Sequence, residues 1–176
     1  MKSTRQTLDD RIRNDDRLRA LLDRARRYCA LSEQCEDAVR QKLVTWGASP
    51  AESDDVVAKL YNEQYLDDER YARAYCESKI LHQHWGRQKV LYQLRLKHLP
   101  RAAVDSGMAA VSDEAYFAVL TTVAQKKLAE LTSGLQEPNS DLRSLHSQKL
   151  TSFLLSRGFL ISEINQVLTN ILSDEN

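Results

Sequence analysis

Residues 43–57 read Leu-Val-Thr-Trp-Gly-Ala-Ser-Pro-Ala-Glu-Ser-Asp-Asp-Val-Val, a helix stop followed at once by a helix start. Gly47 closes the apolar stripe Val39, Leu43 and Trp46, and without a β-carbon it can take the left-handed conformation that ends many helices. Ser49 then caps the next helix. Pro50 takes the first helical position, where its missing N–H costs nothing, and Glu52 stands three residues past the cap. The helix so opened carries Val56, Val57 and Leu60 on one face. Two helices and their tight turn can thus be read from this short stretch and its flanks.

The same design recurs twice. From Leu43, Leu94 and Leu154, the turn residue four positions on is Gly47, His98 or Gly158, and ten positions beyond each turn stands Val57, Met108 or Leu168. Adding the helix before each pair divides the chain into three-helix units at 18–62, 63–111 and 112–176, with an N-terminal extension at 1–17. The last unit is lengthened by a loop at 133–144 rich in Gly, Pro, Asn and Ser. A period near 50 residues predicts units that stack and share a core, so the expected fold is all-α, an elongated array of three tandem three-helix repeats.

Outward from there, helical periodicity runs nearly end to end. Leu18, Leu21, Leu22, Ala25, Tyr28 and Cys29 form one stripe; Tyr116, Val119, Leu120, Val123 and Leu128 form another behind a Ser112 cap. Asp67 reads as an N-cap with Asp68 and Glu69 in the first turn, the Trp85-Gly86 pair as a break, and Ser162 as the cap of the last helix. Strand-like alternation is absent.

No apolar run approaches the roughly 18 residues that a membrane span needs, and the charged start from Lys2 to Arg19 lacks the apolar centre of a secretory signal. A cytoplasmic protein without a membrane partner is expected. Cys29, Cys35 and Cys76 form no Cys-x-x-Cys pair, and their odd number suits a reducing compartment, so neither disulfides nor zinc are expected.

The formal net charge is zero, but it is segregated along the chain. Residues 1–47 carry eleven bases against eight acids, and residues 48–69 one against seven. Residues 70–101 reverse the sign: Arg70, Arg73, Lys79, Arg87, Lys89, Arg95, Lys97 and Arg101 face only Glu77. The remainder carries five bases against nine acids. A basic middle between acidic flanks suits a patch aimed at phosphates or at acidic protein. The bland alternative is that these side chains are the solvated faces of two helices.

The chain resembles the RecX family of bacterial regulators, built of tandem three-helix repeats. The resemblance spans roughly residues 18–172 and is carried chiefly by Tyr65-Leu66-Asp67-Asp68-Glu69-Arg70-Tyr71-Ala72, then Ser78-Lys79, Gly86-Arg87 and Gln93-Leu94. Lys42-Leu43 with Gly47, and Lys149-Leu150 with Leu154, Arg157, Gly158 and Phe159, support it. His98 stands where the family usually has Gly, and Lys79 where Arg is common. The resemblance implies a protein that binds the RecA recombinase, chiefly as a filament on DNA, and limits or tunes strand exchange and related RecA activities. It implies no catalytic site, and no cofactor is expected.

The candidate partner- or nucleic-acid-binding residues are Arg70, Arg73, Lys79, Trp85, Arg87, Lys89, Arg95 and Lys97. Trp85 is a possible aromatic platform, whereas Trp46 continues a core stripe, and Tyr28, Tyr71, Tyr75 and Tyr116 read as packing residues. Asp67 and Asp68 raise a metal or proton-sharing reading, but carboxylates before a helix satisfy its free N–H groups, and no third ligand has fitting spacing. His82 and His84, two apart, point away from each other on a helix and cannot share a metal. No nucleophile motif or phosphate loop occurs, so an enzyme is not expected. Partners expected are the RecA filament and single- or double-stranded DNA at the basic middle, with the protein itself a monomer. The alternative is a DNA-binding helical protein acting without RecA, since helix pairs with short turns can resemble helix-turn-helix modules.

Overall fold

The computed structural model describes residues 7–133 and 140–173. Among these residues there is no strand; ten α-helices form, α1 (Leu8–Asn14), α2 (Asp16–Leu31), α3 (Glu36–Thr45), α4 (Pro50–Asn62), α5 (Asp68–Glu77), α6 (Arg87–Arg95), α7 (Arg101–Ala109), α8 (Asp113–Thr132), α9 (Ser140–Ser156) and α10 (Ile161–Ser173). A π-helical turn, Ser78–His82, continues α5. The chain forms two compact units: the first takes residues up to 71 together with 97–103, the second residues 72–96 together with those from 104 onward.

In the first unit, α2, α3 and α4 bury Leu18, Leu22, Ala25, Val39, Leu43, Val56 and Leu60. The Ser49 capping box is complete: Ser49 Oγ accepts from the Glu52 N–H, and Glu52 Oε2 accepts from the Ser49 N–H at 2.7 Å. Gly47 is left-handed, with φ of 81°. The segment expected to be an extension begins a helix at Leu8. Thr7 caps α1, Ile12 is buried in the same core, and Asp9 meets Lys59 Nζ at 2.7 Å while Arg11 pairs with Asp55. A seven-residue helix with two apolar residues, Leu8 and Ile12, is too short for periodicity to reveal.

Ion pairing within this unit explains the first half of the charge pattern. Bases from 1–47 meet acids from 48–69: Arg17 pairs with Glu52 at 2.8 Å, Arg26 with Glu63 at 2.6 Å, and Arg40 with Asp54 at 2.8 Å. Each such surface pair contributes at most about 1 kcal/mol, against about 2 kcal/mol for each fully buried Leu. The core holds the unit together, and the pairs set its registry.

The second unit buries Ala72, Cys76, Ile80, Val90 and Leu94 from the middle of the sequence, and Tyr116, Leu120, Leu150, Leu154 and Ile164 from its last third. Its turns differ from expectation in three places. The break at Trp85-Gly86 takes its left-handed residue from His84, φ of 56°, while Gly86 is extended. Gly86 is needed for another reason: its N–H donates to Arg157 O at 2.8 Å, and a Cβ there would overlap the backbone of Gly158 and Phe159. Ser162 lies inside α10; the Glu163 carboxylate accepts from the Leu160 N–H at 2.8 Å, so the start signal sits two residues earlier than the serine suggested. Helix α9 opens at Ser140, shortening the expected 133–144 loop, of which 134–139 lie outside the described residues.

Candidate partner-binding interface

Of the eight predicted residues, Arg70 and Lys97 fall in the first unit and the other six in the second. Asp67 caps α5, accepting from the Arg70 N–H at 2.9 Å. The Arg70 guanidinium turns back to Glu33 at 2.7 Å and to Gln64 O at 3.0 Å. The hydrogen bond to Glu33 raises its pKa above the usual arginine value. Arg70 is therefore a tie within the unit. Lys97 Nζ lies 5.8 Å from the centre of the Tyr71 ring, beside a cleft lined by Glu36, Tyr61 and Asp68. Tyr61 Oη sits 3.0 Å from Asp68 and 3.2 Å from Glu36, and burial pushes the Asp68 carboxyl upward. The paired aspartates thus divide into a cap and a tyrosine ligand; no cluster of metal ligands occurs among the described residues.

In the second unit, Arg87 is also built into the fold. Its guanidinium stacks 4.2 Å from the Tyr116 ring centre, pairs with Asp113 at 2.7 Å and donates to Val111 O at 3.2 Å. Tyr116 Oη accepts from the Arg87 backbone N–H and donates to Glu163 at 2.8 Å. Burial of that ring, with Glu163 beside it, raises the phenol pKa.

Lys79, Trp85 and Lys89 form the assembled part of the prediction. Both ammonium groups lie over the indole, at 4.8 and 4.4 Å from its centre, and Lys79 also bonds Gln83 Oε1 at 3.0 Å. The Gln83 backbone oxygen accepts from Arg157 at 3.2 Å, and this guanidinium lies 5.1 Å from the Phe153 ring centre, a ring that Lys127 shares at 5.2 Å. His84, Lys126, Lys127, Glu130, Phe153 and Arg157 line one cleft, in which Lys127 pairs with Glu130 at 3.0 Å. Aromatic rings therefore position cations contributed by the π turn, α6, α8 and the end of α9. Arg73 and Arg95 are exposed, and none of Arg73, Lys79, Lys89, Arg95 and Arg157 meets a carboxylate among the described residues.

Sequence reasoning missed Lys126, Lys127, Phe153 and Arg157. The acidic balance of residues 102–176 hid them, and the available signals were the Lys126-Lys127 doublet and Arg157 beside the third turn glycine.

The sequence model described as RecX, second three-helix domain, matches residues 67–108, which include all eight predicted residues. Regulatory protein RecX of Clostridium acetobutylicum is 30% identical over 171 residues, covering 96% of this chain and 76% of the relative. The chain belongs to the RecX family. Regulatory protein RecX of Cronobacter sakazakii is 29% identical, over 85% of this chain and 91% of its own length. The crystal structure of RecX from Lactobacillus salivarius aligns with a TM-score of 0.74 at 18% identity, covering 88% of this chain and 96% of that one, so the RecX fold is shared where little sequence is. Within this RecX fold the matched domain supplies α5, the π turn, α6 and α7, and so most of the cations described above.

Proposed function

We propose that the chain is a non-catalytic regulator that binds the RecA recombinase as a filament on DNA and inhibits or modulates its ATP hydrolysis, recombination and strand exchange. Membership of a family whose relatives are named regulatory proteins supports the regulatory role. The observation that carries the choice of surface is the contrast in pairing. Arg17, Arg26, Arg40 and Arg70 are spent on carboxylates of their own unit, whereas Lys79, Lys89, Arg95 and Arg157 are held beside rings or in solvent with no carboxylate partner among the described residues. Unpaired, pre-positioned cations are suited to an anionic partner, whose binding weakens as salt rises.

In this reading the repeats at 18–62, 63–111 and 112–176 lay a surface along the filament, and the protein acts in the cytoplasm as a monomer without a cofactor. The patch meets DNA or acidic protein of the filament. The test is RecA-catalysed strand exchange and ATP hydrolysis titrated with the purified chain. Both should fall as it is added; unchanged rates at saturating amounts contradict the proposal.

A further inference from the structure

The outer face of α6 carries more than charge. Gln88, Tyr92, Arg95 and Leu96 are exposed on it, Tyr92 by 60% and Leu96 by 52%, while Val90 and Leu94 on the opposite face are fully buried. Lys89, Tyr92 and Leu96 follow at helical i, i+3 and i+7 spacing and so share one face, within about 10 Å along the axis. The start of this helix is fastened to the turn between α9 and α10: Gln88 N–H donates to Gly158 O at 3.1 Å, and Gly158 lies directly against Lys89. Flanking that turn, Leu155 is 46%, Leu160 41% and Ile161 50% exposed. Single exposed leucines are ordinary, but here five large apolar side chains are exposed on one helix and on the turn fastened to its start. Lys89 and Arg95 stand on the same helix, and Arg157 precedes Gly158 in the turn.

We infer that the outer face of α6 and the adjoining turn at Gly158 form a docking surface for an acidic protein surface bearing apolar side chains, not for nucleic acid. A phosphodiester backbone satisfies cations but offers nothing to Leu96, Leu155, Leu160 or Ile161, whereas an acidic protein surface with apolar anchors satisfies both. Lys89, Arg95 and Arg157 meet no carboxylate among the described residues, while Glu163 at the turn is engaged by the Leu160 N–H and the Tyr116 hydroxyl. The inference rests on the functional reading above and specifies which component of the filament this face engages, its protein.

The test uses the full chain, RecA filaments assembled on single-stranded DNA, and the same DNA naked. Y92S/L96S and L155S/I161S replace exposed side chains, and circular dichroism verifies that each keeps its helices. Each should lower affinity for the filament by about tenfold or more, the loss typical of an interface anchor, and leave affinity for naked DNA unchanged. Arg95→Glu should lower filament affinity more at low salt than at high salt. Wild-type filament affinity in both double variants overturns the docking surface, as does a parallel loss on naked DNA, which would give the face to nucleic acid. An Arg95→Glu variant that binds normally at low salt overturns the acidic character of the partner. If the unmodified chain binds no filament, the functional reading itself fails and takes this inference with it.

Discussion

Gly86 and Gly158 meet backbone to backbone, and this contact helps to join the break at Trp85-Gly86 to the turn at Gly158. A methyl group at Gly86 has no room, so Gly86→Ala should destabilise by about 2–3 kcal/mol, the range for overpacking a tight site. Gly47 provides the control. It is left-handed but open, its nearest neighbour to an added Cβ being Arg17 at 3.9 Å, so Gly47→Ala should cost only about 1–2 kcal/mol of backbone strain. Urea unfolding of both variants measures the difference, and equal losses would contradict the close approach. Sequence disclosed one of these demands and hid the other. The turn role of Gly47, His98 and Gly158 follows from neighbours a few residues away, and all three are left-handed. What Gly86 must avoid lies 72 residues further on, where no local pattern can announce it.

Helices obey local rules more fully than their junctions do. The Ser49 and Ser112 caps and the Asp67 cap were legible because each depends on residues within one turn. The early start of α9, the short α1 and the displaced start of α10 were not, since packing rather than propensity decides where marginal helices begin. Between elements, Arg26 of α2 grips Glu63 just past the end of α4 at 2.6 and 2.8 Å, with both side chains less than a third exposed. That hydrogen bond holds the Glu63 carboxyl below its ordinary value of 4.5. A depressed carboxyl pKa stabilises the fold above the unfolded-state value and loses that contribution as pH falls through the folded-state value. Glu63→Gln should therefore lower the urea midpoint at neutral pH and flatten its decline below about pH 4.5. An unchanged acid limb would show that the pair contributes nothing to stability.

At the scale of the molecule, net charge zero conceals two different uses of basic side chains. In the first unit Arg17, Arg26, Arg40 and Arg70 meet carboxylates, and in the second Lys79, Lys89 and Arg157 lie over aromatic rings with no carboxylate partner among the described residues. The segregation was visible in sequence, but the division of labour was not, because a linear run cannot say which cations a fold will neutralise. Arg70 and Arg87 stood in the same basic stretch as Lys79 and Lys89, yet the first two are ties within their units. Reversal of charge should separate these roles. Arg87→Glu sets a carboxylate beside Asp113 and should lower stability by about 2 kcal/mol, whereas K79E/K89E should leave the urea midpoint nearly unchanged. The most direct measurement of the central claim is DNA-dependent ATP hydrolysis by RecA titrated with the unmodified chain and with K79E/K89E. The account predicts that the unmodified chain inhibits and that the double variant, folded and equally stable, requires at least about tenfold more protein for the same inhibition. Equal inhibition by the two proteins would contradict it.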